Sequence, residues 1–238
     1  MRIMSEFGKI HFSVDDVINS LLWLSNNNAK SIFDSYTFSF AKELYDKYGL
    51  ITTCNCLYSN GTGSLADVTD KYASQFYNCS SFIRFSFHGL DFVKNYSNAT
   101  SEEAKEDYLA VKKNIDRITG GNSWSEIMRV HYFQGNHRCV LEWNALCDNL
   151  VLLTSDDFRK NYDLTNEQLK KVEDYYLKLD EGPYYVKTDF RLEAVNKREI
   201  KKKANGVQEP LVVFTHEKYI NDISIKNKMT YLCEQLYK

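Results

Sequence analysis

Residues 8–19 read GKIHFSVDDVIN. From Lys9 to Val14 a short stretch carries Ile10, Phe12 and Val14 with polar residues between them, and it ends on two adjacent carboxylates, Asp15 and Asp16; most of the chain's short apolar runs are nearly continuous rather than alternating. A short run of that kind fits a parallel strand covered on both faces. The same signature recurs at 50–57, 82–87, 127–133, 150–153, 184–188 and 211–215. Between these runs the sequence predicts helices. One covers 35–48 and stops at Gly49. Another covers 100–119, with acids in its first turn and Gly120–Gly121 at its end. Further helices are predicted over 137–146, 165–177 and 221–237, the second opening with Thr165 and Gln168 at capping-box spacing.

Seven strands alternating with helices predict an α/β fold built on a parallel sheet. The order suits a closed or nearly closed barrel, and it suits an open doubly wound sheet as well. With no linker, repeat or low-complexity tract, one domain over residues 1–238 is expected. The charge run KREIKKKANG, 197–206, predicts a solvated surface loop.

Composition narrows the function. Hydrophobic residues make up 43% and charged residues 26%, as in ordinary globular proteins. A net charge of −2 argues against nucleic acid or an anionic membrane as partner. No stretch approaches the ~20 apolar residues of a membrane span, and the first apolar run is too short for a signal-peptide core. A cytoplasmic protein is therefore expected, with its six cysteines reduced and packed as small hydrophobes. The 17 tyrosines and 14 phenylalanines serve core packing first, and flat faces for sugar rings second. Gly61-Thr62-Gly63 lacks the third glycine of a dinucleotide fingerprint, and no Gly-x-Ser-x-Gly elbow is present.

In α/β folds the functional side chains collect at the carboxyl ends of strands. Those ends carry Asp15 and Asp16; His88 and Asp91; Arg129, His131 and His137; Asp156 and Asp157; Asp189, Arg191 and Glu193; and His216 with Glu217. Imidazoles and carboxylates gathered from separate strand ends form a shell for a divalent ion, Zn²⁺ or a related first-row metal. Such an ion acidifies its bound water and polarises a carbonyl, while a base and an acid beside it move the protons. Adjacent aspartates can divide the work, one ligating and one accepting a proton. A two-carboxylate glycosidase, with Asp15 beside Asp189 or Glu217, is an alternative on the same barrel.

These motifs resemble the polysaccharide deacetylase superfamily, the NodB-homology or carbohydrate esterase family 4 group. More narrowly, they resemble divergent deacetylase-like proteins encoded beside bacterial surface-polysaccharide genes. FSVDDV stands where the family has Thr-Phe-Asp-Asp-Gly, and VVFTHE matches its last, histidine-ended strand. The resemblance implies an irregular (β/α)7 TIM-like barrel and metal-dependent removal of an N- or O-acetyl group from a carbohydrate. The substrate would be an acetylated sugar, a sugar nucleotide or a lipid-linked precursor. Asp15 would be the general base and His216 the general acid. Asp16 and His88 would ligate the metal, Zn²⁺ with Co²⁺ or Mn²⁺ as alternatives. The family's second metal histidine is replaced by Phe92, so the third ligand is expected from Asp91 first and His131 second. The Arg-x-Pro motif is absent, and Arg129 or Arg191 would orient Asp15, with Arg191 the choice carried forward. Asp157 or Asp189 would tune His216, with Asp189 preferred. An inactive glycan-binding or assembly protein on the same fold is the alternative reading.

Overall fold

The computed structural model describes residues 7–157, 161–205 and 210–237. Its strands are β1 Ile10–Val17, β2 Thr52–Leu57, β3 Ile83–Gly89, β4 Ile127–Met128, β5 Val151–Leu153, β6 Tyr176–Lys178, β7 Tyr184–Val186, β8 Phe190–Arg191 and β9 Leu211–His216. Its helices are α1 Asn19–Asn26, α2 Tyr36–Tyr48, α3 Ala73–Asn78, α4 Ser101–Thr119, α5 His137–Ala145, α6 Asn166–Glu173, α7 Lys197–Ala204 and α8 Ile223–Leu236. All seven expected strands are present, joined by the short β6 and β8.

The strands form two arcs of an irregular barrel. One runs β3-β2-β1-β9-β8 and is parallel throughout. The other runs β4-β5-β7-β6, with only β6 antiparallel. The arcs meet at a seam between β3 and β4. There a single parallel bridge joins Phe85 to Trp124, and Phe85 exchanges hydrogen bonds of 2.8 Å with the backbone of Ser123 and Ser125. The Arg84 guanidinium reinforces this seam by donating to the carbonyls of Ser80, Asn122 and Trp124.

Alternation along each strand separates two cores. Ile10, Phe12, Val14, Cys54, Cys56, Phe85 and Phe87 face the helices in the large cluster. Phe7, Ile127, Val151, Leu153, Val186 and Val212 fill one side of the barrel interior as a second cluster. The opposite side of the interior is polar: His11, Ser13, Asp15, Asn55, Ser86 and Arg129 are all buried. A cavity of about 550 Å³ lies at the amino-terminal end of the strands, bordered by His11, Thr53 and Trp124. Burial, then the nearby Arg129 charge, pushes the His11 imidazole down to about 3, so it is neutral there.

Local chemistry sets the element ends. Gly49 at φ 67° terminates α2, and Gly120 at φ 78° terminates α4. Three expectations need correction. The charge run at 197–206 is not a loop over its described part: 197–204 forms α7, capped reciprocally by Asn196 and Glu199, with Ile200 and Ala204 buried four residues apart. Its last residue, Gly206, lies outside the described residues. The helix expected over 165–177 ends at Glu173, because Tyr175 takes φ 117° and turns the chain into β6. The strand expected over 127–133 stops at Met128 and gives way to a 3-10 turn over His131–Phe133.

Candidate active site and metal centre

Two adjacent strand residues ordinarily point to opposite faces of a sheet. A bulge in β1, between Val14 and Val17, breaks that rule, and Asp16 takes φ 64°. Asp15 stays in register with His216 of β9 and turns into the barrel, 2% exposed. Asp16 is held at the mouth.

Asp15 is held mainly through Oδ1. Arg129 Nη1 donates to its Oδ1 at 3.0 Å and to its Oδ2 at 3.3 Å, and Asn55 Nδ2 donates to Oδ1 at 2.7 Å. The guanidinium is anchored further by Ser13 Oγ at 2.7 Å and Thr188 Oγ1 at 3.2 Å, and it lies 4.0 Å over the Phe214 ring. The pairing and these further bonds offset most of the cost of burying the two charges, although Arg129 Nε is buried without a partner among the described residues.

Asp16, His88 and His131 converge, with ligand atoms within 4.8 Å of one another. His88 Nδ1–H donates to the main-chain carbonyl of Arg129. That bond leaves Nε2 facing Asp16 Oδ1 at 3.2 Å, and His131 Nε2 lies 3.8 Å from the same oxygen. In a neutral His88 two acceptors would then face each other, so positive charge belongs between them. The Nδ1 atom of His131 is buried without a partner among the described residues. Burial, followed by the neighbouring His88 imidazole, pushes the His131 imidazole down to about 4, so at neutral pH one of its ring nitrogens is free to ligate. Burial opposes ionisation of Asp16, but the bond from His88 and the nearby imidazoles outweigh it and hold its carboxyl below the usual range. One carboxylate and two imidazoles at this spacing fit a divalent cation.

His216 sits on the other side of Asp15. Its Nδ1 bonds to Glu193 Oε1, and Glu193 Oε2 accepts from Thr215 Oγ1 at 3.0 Å. Burial alone would lower this imidazole, yet the Glu193 bond and the charge of Asp15 carry it above the ordinary histidine value.

Three expected residues have other partners. The Asp91 carboxylate closes its own turn, accepting from the amides of Val93 at 2.8 Å and Lys94 at 2.7 Å, and it is outside the converging group. Arg191 grips Asp156 bidentately at 2.8 Å and Asp157 at 3.4 Å, whereas Arg129 holds Asp15. Asp189 accepts from the Val212 amide at 2.9 Å, a strand-pairing role, and burial pushes its carboxyl up. Glu217, the glycosidase candidate with Asp189, is turned to the amides of residues 18–20. His137 opens α5, away from the group. The partner of His216 was readable in principle. Arg191 pairs with Phe214 across β8 and β9, and carrying that register two residues on sets Glu193 opposite His216. Phe92, 40% exposed, packs edge-on against His131 at 5.7 Å, and Tyr132, 56% exposed, lies beside the same ring.

No protein-family model matches the sequence, nor does any curated protein. Solved structures do match. A family 4 acetyl xylan esterase from Clostridium thermocellum, in complex with a cobalt ion, superposes with TM-score 0.52 at 12% identity, covering 95% of this chain and 82% of the other. A proposed polysaccharide deacetylase from Mycobacterium smegmatis gives TM-score 0.56 at 10% identity, covering 94% and 83%. A structure from Bacillus anthracis described as a family 4 pseudoenzyme gives 0.51 at 11%, and this chain covers 62% of its length. The barrel is thus the NodB-type α/β barrel of the family 4 polysaccharide deacetylases, as the strand-end motifs led one to expect.

Proposed function

We propose that this chain is a metal-dependent hydrolase that removes an N- or O-linked acetyl group from a carbohydrate, working as one domain over residues 1–238. One observation carries the reading. The donors of Asp16, His88 and His131 converge within 4.8 Å, beside a carboxylate held by Arg129 and an imidazole held by Glu193.

Asp16, His88 and His131 would hold the cation, Zn²⁺ by donor chemistry, with Co²⁺ or Mn²⁺ as alternatives. When bound, such an ion supplies Lewis acidity and an acidified water. Asp15 accepts a proton from the attacking water, and Arg129 keeps that carboxylate oriented. The water oxygen bonds to the acyl carbon as the bond from that carbon to the sugar nitrogen or oxygen breaks. His216, with Nδ1 bonded to Glu193, donates its Nε2 proton to the leaving atom. Acetate and a free amine or hydroxyl are the products. Phe92 and Tyr132 offer aromatic faces for a pyranose ring beside the ion. A cytoplasmic setting would make sugar nucleotides or lipid-linked precursors the natural substrates.

The test is acetate release from N- and O-acetylated oligosaccharides by protein loaded with Zn²⁺ or Co²⁺. Release abolished by Asp15→Asn supports the reading; absence of release from every substrate, with metal bound, overturns it. A second reading, a glycan-binding protein without turnover, is favoured by Phe92 at the position of the family's second histidine. It predicts oligosaccharide binding that Asp15→Asn leaves unchanged.

A further inference from the structure

We propose that Glu217 is a positioning residue for the metal centre, fixing Asp16 in its ligating conformation from the far side of the β1–α1 turn. Glu217 follows His216 directly and is 5% exposed. Its Oε2 accepts from the amide of Ile18 at 3.2 Å, the amide of Asn19 at 2.9 Å and Asn19 Nδ2 at 3.0 Å. Its Oε1 accepts from the amide of Ser20 at 2.7 Å.

These amides are the first of α1, whose opening leaves donors without intrahelical acceptors. The helix cannot cap itself. Its N-cap residue is Ile18, which makes no side-chain bond, and its first turn holds no acid. The acceptor arrives instead from some 197 residues further along the chain.

The consequence reaches Asp16, two residues before Ile18. Its φ of 64° lies in the left-handed region, which costs a non-glycine residue energy, though less for Asp than for most, so the contacts of the flanking chain help to hold it there. Upstream, the pairing of Asp15 with His216 fixes the backbone. Downstream, Val17 is buried and the next three amides are held by Glu217. Released there, Asp16 relaxes toward ordinary strand geometry, which turns its carboxylate away from His88 and His131. Because Glu217 is also the backbone neighbour of His216, a single carboxylate locks the ligand's turn to the acid's strand end. A cap serving α1 alone would affect stability without affecting the cation.

This inference rests on reading Asp16, His88 and His131 as the cation site. The experiment measures Co²⁺ and Zn²⁺ dissociation constants for the native protein, E217Q, E217D and N196A, together with thermal midpoints and the ¹⁵N amide shifts of residues 18–20. N196A removes the cap of α7 and serves as the control for lost stability alone. E217Q is expected to weaken binding ~10–100-fold, as removal of an outer-shell partner does. It should also shift the three amides, while E217D recovers part of the affinity and N196A loses stability without losing affinity. Native affinity in E217Q, or equal weakening in N196A, overturns the proposal. Should E217Q fail to fold, E217D with its shorter reach is judged against N196A by the same criteria. If the native protein binds neither ion, the site reading itself falls and this proposal falls with it.

Discussion

Asp15 and His216 are register partners: the parallel pairing of β1 with β9 sets them directly opposite at the carboxyl end of both strands. Each has its own anchor, Arg129 for the carboxylate and Glu193 for the imidazole. Arg129 also accepts His88 Nδ1–H on its main-chain carbonyl, so one residue orients both the proposed base and a proposed metal ligand.

The ligand set is tested by deletion. Asp16→Ala, His88→Ala and His131→Ala should each weaken Co²⁺ binding at least as much as losing an outer-shell partner does, ~10–100-fold. Asp91→Ala should leave it unchanged, because that carboxylate serves its own turn. Isothermal titration distinguishes the two. Equal losses at Asp91 and His131 would contradict the assignment.

Arg129→Met leaves Asp15 buried without its counter-charge. Breaking a buried pair from one side costs ~3–5 kcal/mol, read as a lowered urea midpoint. Arg191→Met removes a pair that is partly exposed on the arginine side, 29%. Its loss should stay within ~1 kcal/mol.

His216 should titrate above an ordinary histidine, since Glu193 and Asp15 favour its charged form over the opposing effect of burial. A raised folded value stabilises the fold below the unfolded value, and that stabilisation disappears as pH climbs through the folded one. Glu193→Gln should therefore lower the His216 titration seen by NMR. It should cost more stability at about pH 6 than at about pH 9. An unmoved titration would remove Glu193 from this role.

His11 and His131 act in the opposite sense. Burial drives them to about 3 and about 4, so the fold keeps them neutral while the unfolded chain protonates them near 6.5. Stability of the metal-free protein should then fall as pH drops from about 6.5 to about 4, by on the order of 1.4 kcal/mol per unit for each histidine. His11→Gln should flatten the slope of chemical-denaturation free energy against pH. A slope identical to native would refute it.

The sequence disclosed the strands, most helices and the pair Asp15–Asp16, because each leaves a local signature: an apolar run, a cap, a glycine stop. It did not disclose partners set by register and by irregular turns. Asp91 was preferred as a ligand for its closeness to His88 in sequence, but its carboxylate is consumed by the amides of residues 93 and 94. His131 reaches the site only because β4 ends early and the chain turns over residues 131–133, with Tyr132 and Phe133 both at φ 56°. Glu193 stood among the strand-end candidates, but its pairing with His216 went unassigned because β8, a two-residue strand, is too short to announce its register. The α7 helix was missed because its many lysines masked the buried spacing of Ile200 and Ala204.

The seam between β3 and β4 has a mechanical consequence. Asp16 and His88 stand on one arc of the barrel and His131 on the other, across a joint where one backbone bridge and Arg84 are joined by the bonds of Arg129 to Asp15 and His88. Any cation taking all three as ligands is a rivet through that joint. Its arrival should slow amide exchange at Phe85 and Ser125, well below the mouth where it binds.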